Sequence, residues 1–173
     1  TYALAFGLPM FVGMLYLLNV LPAVPLSLKN AGVYHTIIRG PGGEFIAETE
    51  EKTSTNRFTK LISQIRPATY HLLPTDNGVY FFSAVRAPAE LTAPLSHVWE
   101  RYDEIEKKWI PVTTISFTLA GGREDGYRSY SKKENITEGL WRVTVKAASS
   151  RIVGRKKFYV EQGGVVDLYQ VKI

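Results

Sequence analysis

The chain has 173 residues and no cysteine, and its 21 Lys+Arg against 16 Asp+Glu give a formal net charge of +5. A disulfide scaffold and thiolate chemistry are therefore excluded. The excess charge is too small and too dispersed to point to nucleic acid, and it suits an anionic membrane surface or an acidic protein partner.

Every charged residue lies after Leu28, so residues 1–28 form one uncharged run. A bilayer-spanning helix needs about 20 predominantly apolar residues, and the run predicts one over Tyr2 to Leu21. Pro9 should kink it, because proline removes a helix hydrogen bond and crowds the preceding turn. Gly7 and Gly13 leave flat spots for a neighbouring helix, and Asn19 seeks a polar partner at membrane depth. Pro22 and Pro25 end the span, leaving an extended exit to Leu28. The reading divides the chain into residues 1–28, a transmembrane helix with its interfacial exit, and residues 29–173, one soluble domain.

From Val33 the periodicity changes to two. Ile115, Phe117 and Leu119 alternate with Ser116 and Thr118; Trp141, Val143 and Val145 alternate with Arg142, Thr144 and Lys146; Phe158 and Val160 alternate with Lys157, Tyr159 and Glu161. Such alternation marks strands with one buried face. In chain order the expected strands are 33–39, 79–87, 95–102, 109–119, 127–132, 140–147, 152–161 and 165–172. Turn signals separate them, among them Asp76-Asn77-Gly78, Gly121-Gly122, Asp125-Gly126, Glu138-Gly139 and Gly163-Gly164. Val79–Val85 is apolar on both faces, which predicts a central strand. Leu61, Ile62 and Ile65, within Thr53–Leu73 and before Pro67 and Pro74, suggest one or two helical turns. The fold class is all-β, an immunoglobulin-like β-sandwich with one N-terminal transmembrane helix. Trp141, Val143, Val145, Phe117 and Phe158 are its expected core.

One set of residues stands apart: His97-Val98-Trp99, Gly122-Arg123, Tyr127-Arg128-Ser129-Tyr130-Ser131 and Gly139-Leu140-Trp141-Arg142-Val143. It resembles the bacterial domain-of-unknown-function family 2914, in which a His-x-Trp strand is followed by an Arg-rich hairpin and Gly-x-Trp-x-Val. The resemblance extends upstream to Pro22–Lys29 and downstream through Gly154-Arg155-Lys156-Lys157-Phe158. It implies a small all-β domain, often carried by membrane helices or exported, and no known reaction. Longer members carry several spans where this chain shows one.

Read without the family, His97 and Trp99 share a strand face, and Arg128 and Tyr130 lie opposite Ser129 and Ser131. Trp99 and Trp141 are foremost core anchors, because large aromatics dominate burial. The alternative is a small-ligand or peptide groove lined by His97, Trp99, Arg123 and Arg128, since Arg offers a planar fork to a carboxylate. Ser129 and Ser131 lack a Gly-x-Ser-x-Gly elbow. His35, His71 and His97 are far apart in sequence and no ligand spacing joins them, so no metal or other cofactor is expected. The clusters Lys107-Lys108, Lys132-Lys133 and Arg151/Arg155-Lys156-Lys157 read as solvated surface or as contacts to anionic lipid or an acidic subunit.

The resulting expectation is a non-catalytic accessory or structural subunit of the bacterial inner membrane. Its helix packs through Gly7, Gly13 and Asn19 against other membrane subunits, and its β-domain, on the periplasmic side, braces the complex. The alternative is a membrane-tethered sensor domain that binds a small acid, a glycan strand or a peptide.

Overall fold

The structure, a computed structural model, describes Met10, Met14 and residues 26–50, 67–87, 93–119, 126–147, 151–164 and 166–173. Eleven strands run in chain order: β1 (Ser27–Tyr34), β2 (Thr36–Arg39), β3 (Phe45–Thr49), β4 (Ala68–Leu72), β5 (Val79–Arg86), β6 (Ala93–Asp103), β7 (Lys108–Leu119), β8 (Tyr127–Lys133), β9 (Gly139–Ala147), β10 (Ile152–Gln162) and β11 (Tyr169–Lys172). The all-β expectation holds. No helix among the described residues is long and apolar enough to cross a membrane. Apart from helical Met10 and Met14, the predicted span, with Gly7, Gly13 and Asn19, lies outside the described residues.

The strands form a five-stranded sheet, β4-β10-β9-β6-β7, and two three-stranded sheets, β1-β5-β8 and β11-β3-β2. All pairings are antiparallel except β4 with β10. The principal core lies between the five-stranded sheet and the β1-β5-β8 sheet, and joins Phe81 and Val85 to Leu95, Trp99, Trp141, Val143, Val145, Phe158 and Val160. A second cluster joins Phe82 and Ala84, on the other face of β5, to Ile37 and Ala47 of the small sheet. The small sheet is thus a third layer laid over the sandwich. This explains why β5 is apolar on both faces: Val79, Phe81 and Val85 meet one neighbour, and Phe82 and Ala84 meet the other. Burying apolar surface at about 25 cal/mol per Å² drives both contacts.

Four of the five expected core residues are buried, and Phe117 is half-buried against the same cluster. The structure corrects several boundaries. The expected strand 33–39 is two strands that part at His35, and β1 begins upstream at Ser27 because it pairs with β5 along its length. Residues 68–72, given no strand by the sequence reading, are one, while Leu61, Ile62 and Ile65 lie outside the described residues. β11 occupies only the end of the expected 165–172 strand.

Two local features set up the site. At Gly154, next to a bulge in β10, a Cβ would lie 2.5 Å from the Leu28 side chain, so β1 approaches β10 as closely as a glycine permits. β4 pairs with β10 only from Phe158 onward. Lys156, two residues earlier, stands beside the start of β4 and the passing β1.

Candidate functional site: a polar cavity over a buried histidine–carboxylate network

Where β1, β4 and β10 converge there is a half-open cavity of about 190 Å³, lined by residues that include Asn30, Tyr34, His35, Glu50, Thr69 and Lys156. β1 and β4 are edge strands of their sheets, so each turns a row of backbone groups away from its partner.

Its floor is charged. His35, in the bend between β1 and β2, is 3% exposed. Its Nδ1 lies 2.9 Å from Asp76 Oδ2 and its Nε2 lies 3.0 Å from Glu50 Oε1. Glu50 also accepts from the His71 backbone N–H at 2.7 Å and faces His71 Nδ1 at 2.5 Å. Asp76 Oδ2 accepts from the Tyr70 hydroxyl and the Leu73 N–H, each at 2.9 Å. The Tyr70 ring stacks on His35 with centroids 4.4 Å apart. Burial, reinforced by the Asp76 charge and hydrogen bond, pushes the Tyr70 phenol above its usual range and keeps it a donor. Each ring nitrogen of His35 thus faces a carboxylate. Every carboxylate oxygen of the network already has a partner. The described residues contain no group of three His, Asp or Glu placed to hold a metal ion.

Lys156 is the exception in this wall. It pairs in register with Val143, and Phe158 pairs with Trp141, so Lys156 stands on the inward face of β10 with buried Phe158 and Val160. The run Arg155-Lys156-Lys157 is therefore not one basic patch. Pleating sends Arg155 and Lys157 outward, where Lys157 lies 5.7 Å from the centroid of Trp109, and sends Lys156 into the cavity. No described residue hydrogen-bonds or ion-pairs with its ammonium group.

The residues singled out by sequence lie elsewhere. His97 and Trp99 are fully buried, so neither lines an open groove. His97 Nε2 lies 2.8 Å from Ser83 Oγ, its Nδ1 lies 2.8 Å from Ser131 Oγ, and Ser83 continues to Ser129 at 3.0 Å. Trp99 Nε1 donates to Ser131 Oγ at 3.1 Å. Protonation of His97 on Nε2 satisfies the chain in one direction, Trp99 to Ser131 to His97 to Ser83 to Ser129. The other tautomer strands the hydroxyl hydrogen of buried Ser131 instead. Phe81 and Phe117 close on the ring at 4.8 and 4.6 Å between centroids. Burial pushes the His97 pKa down to about 3. The Ser–His pairs are therefore sealed, neutral core elements with no path for a substrate.

Arg128 projects from the opposite face of its sheet, where Nη1 donates to the Ile173 carbonyl at 3.4 Å. It does not meet His97 or Trp99, and Arg123 lies outside the described residues. The supposed groove is thus divided between the core and the opposite face of the β1-β5-β8 sheet. Sequence reasoning missed the histidine–carboxylate network, whose members come together only through folding. It had one available signal for Lys156, a lysine in phase with Phe158 and Val160.

Comparison with known proteins bears on part of this arrangement. No curated protein matches the chain. Among solved structures, an immunoglobulin-like protein from Pseudomonas aeruginosa is similar at 10% identity and a TM-score of 0.36, over 81% of this chain and 99% of that one. Residues 92–160 match the family model described as a protein of unknown function (DUF2914). That segment, β6 through Val160, holds His97, Trp99, Trp141 and Lys156, excludes His35, Glu50, His71 and Asp76, and is similar to the family whose motifs the sequence suggested.

Proposed function

We propose that this chain is a non-catalytic, membrane-tethered binding module, an immunoglobulin-like β-domain that takes a small ligand in the β1–β4–β10 cavity. The observation that carries the reading is the inward-facing Lys156 above a buried ionic network. Burying ionised groups costs several kcal/mol before their mutual attraction is counted, and an apolar residue at Lys156 would continue the core. Polar groups converging on a concave site are what ligand binding requires. The network offers no nucleophile, since the Tyr70 hydroxyl is committed to Asp76. The tether is the uncharged run 1–28, in the bacterial inner membrane with the domain periplasmic. The test is a thermal-shift screen of sugars, amino acids and organic acids on the full chain and on Ala31→Leu, which fills the cavity. A ligand that stabilises the wild type and not the filled variant supports the reading, and equal responses across the whole panel refute it.

A second reading, the accessory subunit, rests on a different observation. The β6–β7 hairpin continues to Asp103–Lys108, beyond the Leu95–Arg101 segment that β9 covers. Asp103 Oδ1 caps its turn by accepting from the Ile105 and Glu106 N–H groups. Ile105, 92% exposed, sits at this ordered tip, with Ile110 and Val112 exposed along edge strand β7. Exposed apolar groups rimmed by charge suit a contact with a neighbouring membrane subunit. Loss of co-purifying chains in Ile105→Asp, or in Gly13→Leu with Asn19→Leu, supports this reading, and unchanged co-purification in both counts against it.

A further inference from the structure

Resting on the binding-module reading, we infer that the cavity is specific for a small oxyanion-bearing ligand, a carboxylate or a phosphate, with Lys156 as its counter-charge. Every carboxylate oxygen on the cavity floor already accepts at least one hydrogen bond. Glu50 Oε1 is engaged by His35 and the His71 backbone, Glu50 Oε2 by His71, and both Asp76 oxygens by His35, with Tyr70 and Leu73 adding to one of them. A cation or a donor-rich ligand would have to share those oxygens with the protein's own donors. Lys156 has three donors and no described partner, on a strand face whose neighbouring inward positions are apolar. A half-buried ammonium in that setting gains most from an acceptor carrying full negative charge, because a hydrogen bond to an ionised partner is about twice as strong as a neutral one.

Both carboxylates of the floor face histidine ring nitrogens, Asp76 at His35 and Glu50 at His35 and His71, and Lys156 stands at the mouth as the cation an incoming anion meets. Size restricts the ligand further. The half-open space is about 190 Å³. The space fits a short organic acid, a phosphate or the acidic end group of a longer molecule. Tyr34 is placed to cover it: the Tyr34 ring folds over Gly32, where a Cβ would lie 2.6 Å from the phenol oxygen.

The test uses the full chain in neutral detergent at constant ionic strength, titrated separately with sodium acetate, sodium phosphate, acetamide and tetramethylammonium chloride. Backbone amide NMR shifts of Ala31, Gly32, Val33 and Thr69 report on the cavity. Saturable shifts from acetate or phosphate, weakened at least ten-fold in Lys156→Met and retained in Lys156→Arg, are the expected result, and the anion that saturates identifies the head group. Anion binding by Lys156→Met as tight as by the wild type overturns the inference. Saturation by acetamide or tetramethylammonium alone overturns the anion class while leaving the cavity a binding site. No saturable response to any of the four overturns both. Tryptophan fluorescence of each variant checks that the core is intact.

Discussion

The His97 chain makes stability depend on pH in a way that one substitution isolates. The ring is fully buried, its two nitrogens face only serine hydroxyls, and Phe81 and Phe117 close on it. Its folded pKa is about 3 against an ordinary value of 6.5. Between those values the unfolded chain binds a proton that the folded chain refuses. The stability is thus complete above 6.5 and is lost as the pH falls toward 3. The slope is about 1.4 kcal/mol per pH unit, so moving from pH 7 to pH 5 removes about 2 kcal/mol, the slope acting over roughly 1.5 units. His97→Gln keeps an amide near the Nε2 position, within reach of Ser83, and does not titrate. Urea unfolding of both chains, followed by tryptophan fluorescence at pH 7 and pH 5, gives the comparison, because the two chains differ only at residue 97. The wild type should lose about 2 kcal/mol more than the variant. Equal losses would show that His97 is not held neutral by burial and would refute the reasoning.

Three further outcomes test the arrangement. Trp141, 2% exposed and donating from Nε1 to the Thr137 carbonyl at 2.7 Å, should cost about 3–5 kcal/mol on replacement by Ala; an unchanged urea midpoint would remove it from the core. Glu50→Ala leaves His35 Nε2 and the His71 N–H without their carboxylate partner and should cost about 3 kcal/mol. Arg128→Ala, on the other face of the sandwich, should cost under about 1 kcal/mol, and the reverse ranking in urea unfolding would mean that the network contributes little. For the tether, the chain should stay in the membrane pellet after an alkaline carbonate wash, and Ser149→Cys should react with an impermeant thiol reagent in intact cells. Release into the supernatant would make residues 1–28 peripheral, and labelling only after lysis would place the domain in the cytoplasm.

Most of the strands were legible because their alternation is a local property. Trp141-Val143-Val145 and Phe158-Val160 announce buried faces without reference to any partner. β3 and β4 were not legible, since each has only five residues and their pairing with β2, β11 and β10 decides their conformation. The candidate site failed for a related reason. The motif His97-x-Trp99 with Arg128 suggested a surface because polar residues usually stay wet. Inside the sandwich, however, Ser83, Ser129 and Ser131 satisfy the imidazole, and a satisfied polar group can be buried at modest cost.

The amino-acid sequence by itself determined the chain's class: an uncharged leading run, an all-β remainder, a strand apolar on both faces, and aromatic anchors at Trp99 and Trp141. These follow from composition and from periods of a few residues. Only the tertiary structure decided which polar residues meet. His35, Glu50, His71 and Asp76 span four chain segments, and their contacts arise where β1 crosses β10 at Gly154 and β4 joins the sheet. It also decided that Lys156 faces inward while Arg155 and Lys157 face solvent. The physical reason is that hydrogen bonds and charge pairs act over a few ångströms, and strand pairing between distant segments sets which groups come that close.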